Sequence, residues 1–382
     1  MRLLEITNDF PPTLGGIENY IYSLVARWDP GEVVVLTRDR PGAARVDATL
    51  GARVHRMPVG TLLPSRRVWA RVSGLLAEGQ FDMVHFASPL PLALLGPRIT
   101  HATGIPYAVS VHGGEFVAGA RLARPLMQRA LGGAAVALPV SQFTRDAILA
   151  LLPDPPPTEV ISPGVDACAF SPERPPAFGA DPGSGPGGPV VLTVCRLVAR
   201  KGPATLIAAL PRVREAHPGT TLAIVGGGPD RRRLERVAAA RGLQDSVRFL
   251  GPQPWDTLGG YYAAADVFAL PTRERFWRLE TEGFPLVFLE AAAAGLPSVA
   301  GAAGGVREAV VDGETGVIVD GRDAGATATA LIRLLDDPAA ARAMGAAARE
   351  RARVLFSWER VVERFRTALE KALSGHARPG WP

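Results

Sequence analysis

The chain has 382 residues, enough for two or three domains at roughly 100–200 residues each. Apolar residues make up 47% and charged residues 21%, which supplies packed cores and excludes global disorder. A net charge of +5, from 42 Lys plus Arg against 37 Asp plus Glu, is too thin for a dedicated nucleic-acid binder, and two cysteines, Cys168 and Cys195, exclude a disulfide scaffold.

The opening Met1–Asp9 is interrupted by Glu5 and Asp9 and is not expected to act as a signal peptide. No strongly apolar run reaches the length of a membrane span. A cytoplasmic location in a reducing compartment is expected. Short apolar runs at Leu3–Thr7, Val33–Thr37, Met83–Phe86, Tyr107–Val111 and Ala135–Val140 predict buried strands, with helices between them at Gly16–Trp28 and Arg66–Glu78. The stretch Ser171–Pro189, dense in Pro and Gly, reads as a linker. Beyond it, strands are predicted at Val190–Cys195, Leu222–Val225, Val247–Leu250, Val267–Leu270, Pro297–Ala300 and Val317–Val319. Helices are predicted at Ala204–Ala216, Arg231–Arg241 and Leu286–Ala294. A closing helix, Ser357–Leu373, shows one face of Trp358, Val361, Val362, Phe365, Leu369 and Leu373. Strand–helix alternation in both halves implies two parallel, doubly wound α/β sheets, with ligand expected outside the carboxyl ends of the strands in a cleft between domains. The expected division is 1–170, a linker at 171–189, 190–355, and a last helix over 356–382.

Gly183, Gly185 and Gly188 satisfy G-x-G-x-x-G but lie in the linker and open no helix, and Gly226-Gly227-Gly228 is followed by Arg231 at the third glycine position. A nicotinamide oxidoreductase therefore lacks its context. Gly15-Gly16 follows the first strand and opens a helix, so it reads either as an anion-facing turn or as an ordinary strand-to-helix turn. Arg196 and Lys201 follow the first strand of the second half and suit a diphosphate, the alternative being a solvated loop. Lys201 is one of two lysines, Lys371 being the other, in a chain that otherwise uses arginine. Glu282 and Glu290 stand seven residues apart in Glu282-Gly-Phe-Pro-Leu-Val-Phe-Leu-Glu290, where Pro285 suits the first position of a helix. Such a start offers free N–H groups beside a carboxylate, fit for sugar hydroxyls and phosphate. His112 ends a strand, a position where a histidine taken alone is more often structural than functional. No second histidine or cysteine stands at metal-ligand spacing, and no Asp-x-Asp occurs, so no metal is expected.

Together the opening Thr7–Pro12, Gly15-Gly16-Ile17, His112-Gly113, Pro163-Gly-Val-Asp166, Arg196 with Lys201, Glu282 with Glu290, and Ser357-Trp358-Glu359 resemble the retaining GT-B-fold glycosyltransferases that carry the Glu-x7-Glu motif. Within that family Asn8–Pro12 and Arg196–Gly202 are most similar to the actinobacterial GDP-mannose-dependent phosphatidylinositol mannoside mannosyltransferases. The resemblance implies two Rossmann-like domains and transfer of mannose, with retention, from a nucleotide-sugar donor to an inositol-bearing or other lipid. It implies that Gly15, Gly16, Arg196 and Lys201 hold the diphosphate, and that Glu290 takes the ribose hydroxyls. Glu282, Gly283 and the backbone at Phe284, Pro285 and Leu286 would face the sugar, with Val247, Arg248 and Phe249 lining the base. His112, Glu282, Arg196 and Lys201 would act in catalysis without a metal or other cofactor. The chain departs from the subgroup at Pro252, where a basic residue is usual, and at Phe276 and Trp277, where glycines are common. A UDP-sugar transferase acting on a small soluble acceptor, such as an inositol phosphate or aminocyclitol, is the alternative. A nucleic-acid partner is not expected, since basic runs such as Ser65–Arg71 read as solvated helix faces. In Val117–Leu131 the residues Leu122, Leu126 and Met127, following Phe116, alternate with Arg121, Arg124 and Arg129. That segment reads either as a peripheral contact with anionic membrane, at the inner face of the cell membrane, or as a helix packed on its own sheet.

Overall fold

Alternating apolar segments in each half form a six-stranded parallel sheet. The computed structural model describes residues 1–13, 15–113, 124–177, 188–274 and 281–375. The chain divides into two units, Met1–Pro163 with Trp358–Pro382, and Gly164–Ser357.

The first unit contains β1 (Leu3–Ile6), β2 (Val33–Arg38), β3 (Arg53–Met57), β4 (Met83–Phe86), β5 (Tyr107–Val111) and β6 (Val136–Pro139), in the order β3-β2-β1-β4-β5-β6. Leu3 of β1 stands in register with both Val33 and Met83. Because side chains alternate across a strand, the sheet feeds two cores. One holds Leu4, Ile6, Val34, Leu36, Val84 and Val109. The other holds Leu3, Val33, Val35, Met83 and Ala108 under the helices Gly16–Ala26 and Trp358–Gly375. The face predicted for the closing helix is the one it buries: Trp358, Val361, Val362, Phe365 and Leu369 all lie in this core. β3 was not expected from the sequence. It is an edge strand, with Arg53 exposed and His55 and Arg56 half-buried, so it lacks the apolar run that marks the central strands.

Across the middle of the sheet, Glu5, His85 and Ser110 form a buried polar chain. His85 Nδ1 meets Glu5 Oε2, and its Nε2 lies 2.9 Å from Ser110 Oγ. The Phe365 ring packs edge-on against His85 at 5.0 Å. Glu5, which reads in the sequence as an interruption of the first strand, thus finds a partner for Oε2 on the neighbouring strand, while its buried Oε1 has no hydrogen-bond partner among the described residues.

The second unit contains β7 (Val190–Val194), β8 (Thr221–Val225), β9 (Val247–Gly251), β10 (Val267–Leu270), β11 (Ser298–Gly301) and β12 (Gly316–Val319), in the order β12-β11-β10-β7-β8-β9. All six stand where apolar runs predict strands. The direction of winding reverses between β7 and β10, which makes their carboxyl ends the topological switch point. The chain enters this unit at Gly164, ahead of the Pro/Gly-rich stretch. Phe170 belongs to its core, and Arg174 Nη2 donates to Asp256 O at 2.9 Å. Gly183 and Gly185 lie outside the described residues.

Candidate active site

The turn after β7 is built by glycine. Gly202 adopts φ +75°, and a Cβ there would stand 2.0 Å from Pro271 O at the end of β10. Only glycine permits that approach. Pro203 then opens the helix Pro203–Ala216, so the short turn Ala199–Lys201 is fixed at the switch point. Arg273, just past β10, ties it down: its N–H donates to Arg200 O at 2.9 Å and its Nε to Ala199 O at 3.2 Å.

Within this frame Lys201 Nζ donates to Glu282 Oε2 at 2.8 Å, and Arg200 Nη1 pairs with Glu282 Oε1 and donates to Thr281 O at 3.3 Å. Glu282 is buried. A buried carboxylate needs such partners, since an unpaired charge is strongly penalised. The structure thus brings Lys201 and Glu282 together, and supplies Arg200, which sequence reasoning passed over because one arginine among so many carries no signal of its own. Arg196 is exposed, and among the described residues its side chain forms no ion pair.

The loop bearing Glu282 is held from the far side by the turn after β11. Gly305 N donates to Glu282 O at 3.0 Å, and Gly304, at φ +54°, leaves no room for a Cβ beside the same oxygen. Gly283 is buried, and Phe284 packs on Phe356 with ring centroids 5.7 Å apart. The following helix is Leu286–Ala293; Pro285 occupies its N-cap in an extended conformation, one position earlier than expected. No side chain caps this helix; Phe288 N donates to Pro285 O at 3.2 Å, and the N–H groups of Leu286 and Val287 remain available to a ligand.

Glu290 lies on that helix, half-buried, with its Oε2 accepting from Tyr262 Oη at 2.7 Å. Burial pushes its carboxyl up to about 7, and the phenol's hydrogen bond acts in the opposite sense. Cys195 follows β7 and is buried. Its thiol, raised to about 11 by burial, is influenced by Lys201, Glu282 and Arg200 and in turn acts on Tyr262.

Of the residues expected to line a base, Val247 belongs to the core, while Arg248 and Phe249 are half-buried. The Arg231 guanidinium lies over the Phe249 ring at 6.0 Å and donates to Phe249 O at 3.3 Å.

Gly15, Gly16 and His112 belong to the first unit. Gly15 is the extended N-cap of the helix Gly16–Ala26, with the Glu18 carboxylate close over its Cα. His112 Nε2 donates to Ala87 O at 2.9 Å, and its ring meets Tyr20 edge-on at 5.2 Å. Burial lowers its pKa to about 4, so the imidazole is neutral near pH 7 and its Nδ1 is an acceptor. Asp166 accepts the N–H groups of Cys168 and Ala169, each at 3.0 Å, which gives it a turn-capping role in the second unit.

The described part of the segment Val117–Leu131 is the helix Arg124–Leu131. Met127, Ala130 and Leu131 are buried in the first unit's core, so its apolar stripe packs on its own sheet; Leu126 is exposed with Arg124 and Arg129. Phe116, Arg121, Leu122, Phe276 and Trp277 lie outside the described residues. Among the described residues no helix is long and apolar enough to cross a membrane.

Residues 14–167 match the Glycosyltransferase Family 4 model, and residues 178–351 match that of Glycosyl transferases group 1. The chain is 40% identical over 363 residues to the GDP-mannose-dependent alpha-(1-6)-phosphatidylinositol monomannoside mannosyltransferase of Mycolicibacterium smegmatis, covering 93% of this chain and 95% of the relative. It is 33% identical to the D-inositol 3-phosphate glycosyltransferase of Salinispora tropica, covering 95% of this chain and 82% of that one. Its fold is similar to that of sucrose-phosphate synthase from Thermosynechococcus elongatus, with a TM-score of 0.80 at 24% identity over 98% of this chain and 100% of the other. With both halves matched and a relative aligned along nearly its whole length, the chain belongs to the group 1 glycosyltransferases and carries the two Rossmann-like domains of the GT-B fold.

Proposed function

We propose that this glycosyltransferase moves mannose from GDP-mannose to a hydroxyl of an inositol-bearing lipid, phosphatidylinositol monomannoside, with retention at the anomeric carbon. The observation that carries the chemistry is the meeting of Lys201 and Arg200 on Glu282 at the switch point, beside an uncapped helix that bears Glu290. The donor and acceptor are taken from the name of the M. smegmatis relative.

Breaking the bond from the sugar's anomeric carbon to the diphosphate leaves negative charge on phosphate oxygen. Lys201 has three N–H donors and bridges Glu282 and that phosphate, while Arg196 adds a second cation. Arg200 keeps Glu282 compensated as Lys201 shares its charge. The N–H groups of Leu286 and Val287 suit the sugar or phosphate oxygens, and Pro285, having none, leaves that role to its neighbours. The acceptor oxygen bonds to the anomeric carbon on the face the diphosphate leaves, and its proton passes to the departing phosphate; the products are the mannosylated lipid and GDP. His112, neutral, orients a hydroxyl through Nδ1. The cationic side chains fill the part a divalent ion would otherwise play, so catalysis is proposed to need no metal. The enzyme would work in the cytoplasm as a peripheral protein at the inner face of the cell membrane. There the exposed Arg124 and Arg129 each contribute about 1 kcal/mol toward an anionic surface.

The test is a transfer assay. Purified enzyme is given radiolabelled GDP-mannose or UDP-glucose, with vesicles carrying phosphatidylinositol monomannoside or with soluble inositol 3-phosphate. Label should enter the lipid from GDP-mannose, with the α anomer formed, and the vesicles should sediment the enzyme at low salt and release it at high salt. Label entering only the soluble cyclitol would instead favour the activity named for the S. tropica relative.

A further inference from the structure

Glu290 is gripped by a side chain that the proposed chemistry does not use. Tyr262 stands near the end of the helix Trp255–Ala263 and is fully buried. Its ring is locked edge-on against Phe170 at 5.6 Å and tilted on Phe268 at 5.6 Å. The hydroxyl it carries reaches Glu290 Oε2 at 2.7 Å and lies 3.5 Å from Val287 O. Glu290 Oε1 makes no hydrogen bond among the described residues.

We infer that Tyr262 is a positioning residue for the nucleotide: it engages one oxygen of Glu290, leaves the other for the ribose hydroxyls, and favours the charged carboxylate that those hydroxyls require. This inference rests on the reading of Glu290 as the ribose acceptor. A carboxylate that accepts two hydroxyls must be ionised, and burial opposes ionisation. A hydrogen bond donated to the charged form counters that penalty. The phenol can donate throughout, because burial and the neighbouring Glu290 hold it well above its ordinary range. The other groups that act on the pair are Cys195 at the end of β7 and, through it, Lys201, Arg200 and Glu282; Leu286–Ala293 contributes no ionisable side chain besides Glu290.

Tyr262→Phe removes the hydroxyl and keeps the ring. Calorimetric binding of GDP is followed from about pH 6 to 9, with 2′,3′-dideoxy-GDP as the control and the uridine pair in parallel, since the ribose is common to both. The variant should bind GDP about tenfold more weakly near pH 7, and the midpoint at which binding strengthens should move up by about one pH unit, as expected for losing one hydrogen bond to a charge. Dideoxy-GDP should bind wild type and variant alike. Equal weakening of both ligands, or an unmoved midpoint, would overturn the inference. Glu290→Gln separates the two levels: wild-type GDP affinity in that variant would remove the ribose reading itself. Weakened binding there, with an unaltered profile in Tyr262→Phe, would remove only the role of the tyrosine.

Discussion

Lys201 Nζ lies 2.8 Å from Glu282 Oε2, although 81 positions separate the two along the chain. The contact exists because the turns after β7 and β10 close on one another across Gly202, where no other residue fits. It makes the ammonium part of a three-member cluster with Arg200, in which both oxygens of Glu282 are compensated.

Removing either cation proposed to face the phosphate should show in turnover. Lys201→Ala and Arg196→Ala are each expected to lower kcat/KM by about 10²-fold, as for loss of a preorganised charge at a leaving group. Steady-state kinetics with circular dichroism as a folding check decides it, and near-normal turnover in both variants would refute the diphosphate role.

Glu290 should leave a signature on stability. Its folded carboxyl titrates at about 7, above the ordinary 4.5. Below the lower value both states hold the proton. Between the two, the folded state keeps a proton that the unfolded chain releases, so this group's contribution falls as pH rises and levels off above about 7. Urea denaturation across that window should show wild type losing stability relative to Glu290→Gln as pH increases. A pH-independent difference would show that burial does not hold this carboxyl above its ordinary range.

His112 behaves in the opposite sense. Its folded pKa, about 4 against an ordinary 6.5, means that the unfolded chain takes up a proton as pH falls through that interval while the folded chain does not. Stability attributable to the ring should thus decline on acidification, and its NMR titration should have a midpoint well below 6.5. His112→Gln should lower kcat by about tenfold if the ring orients a reacting hydroxyl. Unchanged kcat would leave the ring its structural contacts with Ala87 and Tyr20.

Activity should survive chelation. The proposed mechanism places Lys201 and Arg196 on the diphosphate, so treatment with EDTA is expected to change the rate less than about twofold. Complete loss, restored by Mg²⁺ or Mn²⁺, would show that an ion shares the work.

Much of the architecture was legible because it rests on local periodicity. Val190–Val194, broken only by Thr193, and the wholly apolar Val267–Leu270 are short runs, and both are central strands. The face of the closing helix followed from spacing alone. Arg53–Met57 was not legible, because an edge strand is half-solvated and can carry Arg and His. The apolar stripe in Val117–Leu131 left two environments open. Spacing shows that Met127 and Leu131 share a face, but not what that face meets; here it meets the unit's own core.

The same division runs through the site. Glu282, Glu290, Lys201 and the helix start at Leu286 stand out in the chain because each has unusual local company: two acids flanking a helix start, and a lysine among arginines. Which oxygen meets which cation does not follow from that company. Arg200 and Tyr262 acquire their roles through contacts 82 and 28 positions distant. Those contacts depend on how closely two strand ends and two helices pack. Hydrophobic patterning specifies which face of an element is buried, whereas a hydrogen bond of under 3 Å is set only when separate elements have docked.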